Sequence, residues 1–261
     1  MIQGEFTDYA RSVPRVLQAL QADQVLAAQS RILLKPNLIN DSPFPVTTHR
    51  DFCAAVLEYI QGCSGAEIII CEGCGDPGQE TWDIFHTLGY TRLSAQYSVS
   101  LMDLNQEELC RLQNPDCDLL PEIYLPRIVL EAYVISLPVL KAHSLARITG
   151  TLKNMLGFAP PSHYAGRHGS WKKGFFHGNM QKSLQELNSY LLPNLTLMDA
   201  SLGLARQHLG GPVCKPAVNK ILGSYNPYAL DNEAARLLGL DPAQISHLQP
   251  LNSTRYRPTK L

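Results

Sequence analysis

The stretch "RILLKPNLINDSPFPVTTHRDFCAAVLEYIQGCSGAEIIICE", residues 31–72, decides the fold class. Its opening, "RILLKPNLI" (31–39), is an apolar run that reads as a buried strand. Pro36 stops it, because proline has no N–H for a ladder. "TTHRDFCAAVLEYIQG" (47–62) reads as a helix, with Thr47 or Thr48 as N-cap and Gly62 at the exit. "AEIIICE" (66–72) is a second strand. Strand, helix, strand is the repeating unit of a parallel sheet with helices packed on it.

Outward from this unit the alternation continues. Residues 7–22 have helical apolar spacing. A short helix over 80–88 ends near Gly89, and "SVSLMDL" (98–104) is a strand. Residues 105–119 read as a surface excursion. "YLPRIVLEA" (124–132) and "YVISLPVLK" (133–141) are β-rich but interrupted by Pro126 and Pro138. One or two helical turns fit Thr149–Gly157, and residues 158–178 read as a long loop. Beyond it come a helix (178–191), a strand (195–200), a Gly/Pro-rich loop (201–216), a strand (217–225), a helix (232–240), a short helix (242–248) and a polar tail. The expectation is one α/β domain over 1–261. Its sheet is mostly parallel or mixed, with helices on both faces and the long Gly/His/basic loop (158–178) lying lid-like at the carboxyl edge of the strands.

Composition narrows the class. The 261 residues are 45% hydrophobic and 17% charged, as in globular proteins. No apolar run reaches the roughly 18 residues that span a bilayer. The start, "MIQGEFTDYARS", lacks the basic and apolar regions of a secretion signal. Seven cysteines without regular spacing suit a reducing compartment, so a cytoplasmic protein that does not enter membranes is expected. From Ala132 to Gln185 there is no Asp or Glu, yet seven Lys or Arg (Lys141, Arg147, Lys153, Arg167, Lys172, Lys173 and Lys182) and four histidines. A segment cleared of carboxylates expects an anionic partner.

The loop "IIICEGCGDPGQETW" (68–82) carries G-x-G-x-x-G at Gly73, Gly75 and Gly78 and C-x-x-C at Cys71 and Cys74. A dinucleotide fingerprint needs a strand before it, a helix after it and an acid further on; Asp103 stands in the last place. Pro77 before the third glycine and bulky Trp82 speak against it. A metal or redox reading of the cysteine pair needs an activated thiol or a second ligand pair, and Cys110 and Cys117 have the wrong spacing. The preferred reading is a strand-end turn that presents Glu72.

Several strands finish in an ionisable group: Lys35-Pro36-Asn37, Glu72, Lys141 with His143, and Asp199. In open α/β sheets, ligands bind beyond the carboxyl ends of strands. If the strands are parallel neighbours, these side chains converge. Thr149-Gly150-Thr151 leading into Lys153-Asn154 adds free N–H groups at a helix start and a lysine in its first turn, which together suit an anion. No Walker loop is present.

These motifs resemble the domain-of-unknown-function family 362, over roughly residues 30–248. The resemblance rests on "LLKPNL" (33–38), "EGCG" (72–75), "VISLPVLKAHSLARITGTLKNMLG" (134–157), His177, "MDA" (198–200) with "GGP" (210–212), and "NPYALDNEAARLLGL" (226–240). It implies that the polar positions are Lys35, Asn37, Glu72, Lys141, His143, Thr149, Lys153, Asn154, His177, Asp199 and Asp231. Some family members are fused to ferredoxin-like iron–sulfur modules, so the resemblance implies a ferredoxin-like redox partner. This chain has no four-cysteine cluster motif of its own.

The leading functional reading is an enzyme that acts on a small anionic, phosphate- or carboxylate-bearing metabolite. Lys35, Lys141 and Lys153, with Asn37, Thr149, Asn154 and Asp231, bind it. His143 or His177 moves a proton, and Glu72 or Asp199 orients that base or binds a cation. One alternative is a redox accessory protein, with a divalent metal on His143, His177, Glu72 and Asp199. Another is a nucleic-acid binder using the basic stretch, against which stands a pI near 6.7.

Overall fold

The computed structural model describes residues 1–251, and the expected polar tail lies largely outside the described residues. The strands are β1 (Ile2–Glu5), β2 (Arg31–Pro36), β3 (Glu67–Glu72), β4 (Ser100–Asp103), β5 (Leu109–Gln113), β6 (Glu122–Pro126), β7 (Tyr133–Leu137), β8 (Val139–His143), β9 (Arg147–Thr149), β10 (Leu195–Leu204) and β11 (Lys220–Ser224). The helices are α1 (Tyr9–Ala19), α2 (Ala22–Leu26), α3 (Arg50–Cys63), α4 (Thr81–Thr87), α5 (Tyr90–Tyr97), α6 (Thr151–Asn154), α7 (Pro161–Tyr164), α8 (Met180–Tyr190) and α9 (Pro227–Leu237).

The main sheet runs β1-β11-β10-β7-β2-β3-β4, with β8 paired to β10 and β9 paired to β8. From β10 through β7, β2, β3 and β4 every pairing is parallel; β11 and β1 extend one side antiparallel. The fold is therefore α/β with a mixed, mostly parallel sheet. Alternation along the strands assigns the two faces. Ile32, Leu34, Ile68, Ile70, Tyr133 and Ile135 pack on α1 and α3. Leu33, Ile69, Cys71 and Val134 pack on Leu184, Leu187 and Tyr190 of α8 and on the separate β5–β6 hairpin. Among the described residues no helix is long and apolar enough to cross a membrane.

Several local expectations change. The N-cap of α3 is His49, whose Nδ1 accepts the N–H of Asp51. Thr48 instead bridges strands, donating Oγ1–H to the Leu137 carbonyl and accepting the Asn37 N–H. Residues 105–119 contain β5 rather than a plain excursion, because Leu112 and Leu125 have the apolar neighbours of the hairpin to cover. The long loop holds a turn of helix, α7, and a 3-10 turn over Gly174–His177. Strand β10 runs on to Leu204, so Asp199 sits in mid-strand and not at an end.

Candidate functional site

Strand order sets the site. The chain builds β2, β3 and β4 outward in one direction, then places β7 on the other side of β2. The loops leaving β2 and β7 therefore diverge, and a crevice opens beyond their carboxyl ends. Pro36 and Pro138 stand at those ends, where the ladder stops.

Lys35, the penultimate residue of β2, points its ammonium into this crevice and forms a 2.6 Å salt bridge to Glu72 at the end of β3. Both side chains are buried. The same ammonium donates to the Pro36 carbonyl at 2.8 Å and to Asn154 Oδ1 at 3.2 Å. Glu72 also accepts the N–H groups of Leu38 (2.7 Å) and Gly73 (2.8 Å). Both its oxygens are thus engaged, and its work is to hold Lys35 rather than to exchange a proton. Gly157 is required beside this pair: a Cβ there would lie 2.2 Å from Lys35 Cε and 2.5 Å from Glu72 Oε1.

Asn154, from α6, ties three elements together. Its Nδ2 donates to the Lys35 carbonyl and to Ser136 Oγ, both at 3.0 Å. Its Oδ1 accepts from Lys35 and, at 3.3 Å, from Asn37 Nδ2. A primary amide has two donors and two lone pairs, so Asn154 is saturated and orders the site. Asn37 in turn accepts from Lys141 Nζ, which also donates to the Val46 carbonyl at 2.6 Å.

Charge is left over. Lys173, from the long loop, donates to the carbonyls of Gly157 (2.9 Å) and Ala159 (2.7 Å) and to Asn105 Oδ1 (3.2 Å). Lys153 is half-buried and makes no hydrogen bond or ion pair among the described residues. Among the described residues, of the four cations Lys35, Lys141, Lys153 and Lys173, only Lys35 is bonded to a carboxylate, Glu72. Burial, reinforced by neighbouring lysines, lowers the pKa of Lys141 to about 7, of Lys153 to about 8 and of Lys173 to about 7. Lys35, Glu72, Lys153, Lys173, Trp171 and His177 line a cavity of about 60 Å³. That is room for a few waters or a small anion.

A family model described as "Domain of unknown function (DUF362)" matches residues 32–236. The chain belongs to this family. No curated protein matches the chain.

Around Lys153 this DUF362 chain also gathers imidazoles. His143 and His208 stack with ring centroids 3.8 Å apart, and His177 meets Trp171 edge-on with centroids 6.3 Å apart. Burial first and the Lys153 charge second push all three below the ordinary imidazole range, His208 to about 3.

Two of the expected carboxylates lie elsewhere. Asp199 faces α1: Tyr9 donates to it at 2.6 Å, and the Ser201 hydroxyl and N–H donate at 2.7 and 2.9 Å. Asp231, from α9, accepts the N–H groups of Thr151 (2.7 Å) and Leu152 (2.8 Å). The helix start expected to offer free N–H groups is therefore already occupied. Desolvation raises the Asp231 pKa to about 6 against the pull of those two bonds. Asp231→Ala is expected to lower the unfolding free energy by about 2–4 kcal/mol, since two buried N–H groups lose their acceptor. Asp231→Asn, which keeps one acceptor, should lose about half as much. Urea unfolding checks this, and equal losses would show that the cap is not what matters.

The loop at 71–78 turns its N–H groups inward. Gly73 donates to Glu72, Cys74 to Thr81 Oγ1 and Gly78 to Asp76. Cys71 and Cys74 are buried free thiols whose pKa values burial raises. Three of the loop's N–H groups are thus already bonded within the loop and its neighbours, and neither thiol is activated. Among the described residues, no group of three His, Cys, Asp or Glu is placed to hold a metal ion. The ligand set His143, His177, Glu72 and Asp199 is not assembled at one point, because Asp199 is turned toward α1. Within the basic stretch Lys141 and Lys173 are buried, whereas Arg147 and Arg167 are exposed.

Sequence reasoning did not single out Lys173, Asn105, Ser136 or His208. Lys173 was visible as part of the carboxylate-free stretch, and Asn105 follows the end of β4. Ser136 lies inside a strand and His208 in a loop, where no local signal marks them.

Proposed function

We propose that the protein is an enzyme that binds a small phosphate- or carboxylate-bearing metabolite in the crevice beyond β2, β3 and β7. One observation carries this reading: Lys35, Lys153 and Lys173 line one cavity, Lys141 is tied to its wall through Asn37, and among the described residues one carboxylate, Glu72, is bonded to these lysines. Buried charge without a partner is costly, and an anion removes the cost. Lys153, which has no hydrogen-bond or ion-pair partner among the described residues, takes the anion directly. Lys35, Lys141 and Lys173 are fixed by their neighbours and supply a preorganised positive field for charge that develops during reaction. Trp171 and Lys173 come from the long loop and shield the cavity from water. His177 comes with that loop, is neutral at pH 7, and is the group available to accept a proton.

Calorimetric titration with inorganic phosphate and with malonate tests the reading. The wild-type protein is expected to bind at least one of them, and Lys153→Met to lose at least about 100-fold in affinity, as for a charge-assisted contact in a desolvated site. Ligand-free Lys153→Met should be more stable than wild type by about 1–2 kcal/mol, because a functional charge has been removed. Unchanged affinity in the variant would refute the assignment.

A further inference from the structure

The β8–β9 hairpin shows what kind of anion fits. Lys141 pairs with Thr149 and His143 with Arg147 across this hairpin. Residues two apart share a face, so Lys141, His143 and Thr149 lie on the same side. The turn between the strands is closed by His143 itself. Its Nδ1 accepts the N–H groups of Leu145 and Ala146, both at 3.1 Å.

A backbone N–H can only donate. Nδ1 must therefore carry a lone pair, and the ring proton sits on Nε2. No described residue accepts from Nε2. Thr149 supplies an independent observation: its hydroxyl is buried and has no partner among the described residues. Lys153 has none among them either.

We propose that the Nε2–H of His143, the hydroxyl of Thr149 and the ammonium of Lys153 together form a lobe of hydrogen-bond donors that takes the oxygens of a fully ionised anion. This rests on the anion-binding reading above and narrows it. The ligand presents a sulfate-like, dianionic phosphate or carboxylate group, with no proton left on the contacting oxygens. His143 is not the base of the reaction. It is a neutral donor that stabilises negative charge on an oxygen, a role that a neutral imidazole can fill when its other nitrogen is held by backbone N–H groups. Stacking on His208 fixes the ring plane. Burial and the charges of Lys153, Lys141 and the other imidazoles keep His143 from becoming a cation.

Two measurements on the full chain test the proposal. In nitrogen-15 NMR of the histidine rings, His143 is expected to remain the Nε2–H tautomer from about pH 5 to pH 9, far outside the ordinary titration of imidazole. An Nδ1–H tautomer, or titration near the ordinary value, overturns it. Sulfate is the probe for the second measurement. His143→Asn keeps an acceptor for the turn, as asparagine does in Asx-turns, but removes the donor. Its sulfate affinity is expected to fall about 10- to 100-fold, the worth of a hydrogen bond to a charged group. Thr149→Val should lose about tenfold on the same basis, and it decides the matter if His143→Asn does not fold. Wild-type affinity in Thr149→Val and in folded His143→Asn overturns the lobe. In that case a loss on Lys153→Met would still support the proposed function, whereas a wild-type protein that binds no anion overturns both.

Discussion

Glu72→Ala is expected to destabilise the protein by about 4 kcal/mol or more, the largest effect of any single substitution considered. Removing one member of a buried pair leaves the other charged in a low-dielectric site, which costs about 3–5 kcal/mol. Lys35 would be that residue, with only neutral acceptors, Pro36 and Asn154, left to it. The N–H groups of Leu38 and Gly73 lose their acceptor as well, at about 1–3 kcal/mol each when they stay dry. In a chain of this size the midpoint of thermal unfolding should fall by roughly 10 °C or more. The double variant Lys35→Met with Glu72→Ala should recover part of the loss, because the stranded cation is gone. By contrast, breaking the exposed pair Arg31–Glu67, although its atoms also stand 2.6 Å apart, should cost under about 1 kcal/mol. Chemical and thermal unfolding followed by circular dichroism measures all four proteins. A Glu72→Ala loss no larger than that of the surface pair would mean that the site does not rely on this ion pair.

The second large effect is on pH dependence. Sulfate keeps a constant charge across the neutral and alkaline range, so any change in its binding reports the protein. In the free protein Lys141 and Lys173 have pKa values of about 7 and Lys153 of about 8. A bound anion favours their charged forms and raises those values. Binding therefore takes up protons, and affinity falls as pH rises. Each lysine that must be charged contributes up to about tenfold per pH unit above its own pKa. With Lys141 and Lys153 both required, sulfate affinity should drop at least 100-fold between roughly pH 7 and pH 9. The ligand-free protein should show the opposite sign. Its lysines have folded-state values below the ordinary 10.5, so between about pH 7 and pH 10 the unfolded chain binds more protons. Its stability rises with pH over that window. Calorimetry in buffers of different ionisation heat counts the protons taken up. Affinity independent of pH would mean that these lysines do not meet the anion. The groups close enough to modify the slope are Glu72, Lys35, His143, His177 and His208.

The strands β2, β3, β7 and β10 and the helices α3 and α8 were legible because each is a strong apolar pattern bounded by Pro, Gly or a polar cap. The β5 strand was not, since its burial is shared with β6 and neither segment is apolar enough alone. The α3 N-cap was misplaced by one or two residues. Thr47 and Thr48 have the usual chemistry, but a loop-to-strand contact uses Thr48, and the neighbouring imidazole closes the helix. For the site, the lysines without carboxylates over Ala132–Gln185 include Lys141, Lys153 and Lys173, and the strand ends bring Lys35, Asn37, Glu72 and Lys141 into one bonded set.

Asp199 shows what such patterns cannot see. As a strand-end carboxylate it looked equivalent to Glu72. Strand β10 in fact continues beyond it, and its alternation shares the face of Leu195 and Leu197, so the carboxylate turns to Tyr9 across the sheet from α8. Asp231 is similar: the family resemblance suggested a ligand contact, but it lies in the second turn of α9 and the start of α6 reaches it first. Which residues carry charge, and on which elements, is written locally in side-chain type and in periods of two and 3.6 residues. Whether those charges are paired is not, because pairing depends on strand order and on which face each side chain meets, and residues more than a hundred positions apart decide it, as Lys35 and Asn154 do. The sequence by itself determined an α/β chain with a cationic, carboxylate-poor segment near its strand ends. Only the tertiary structure decided that Lys35 has a counter-ion, that Lys153 has none among the described residues, and that both line one cavity.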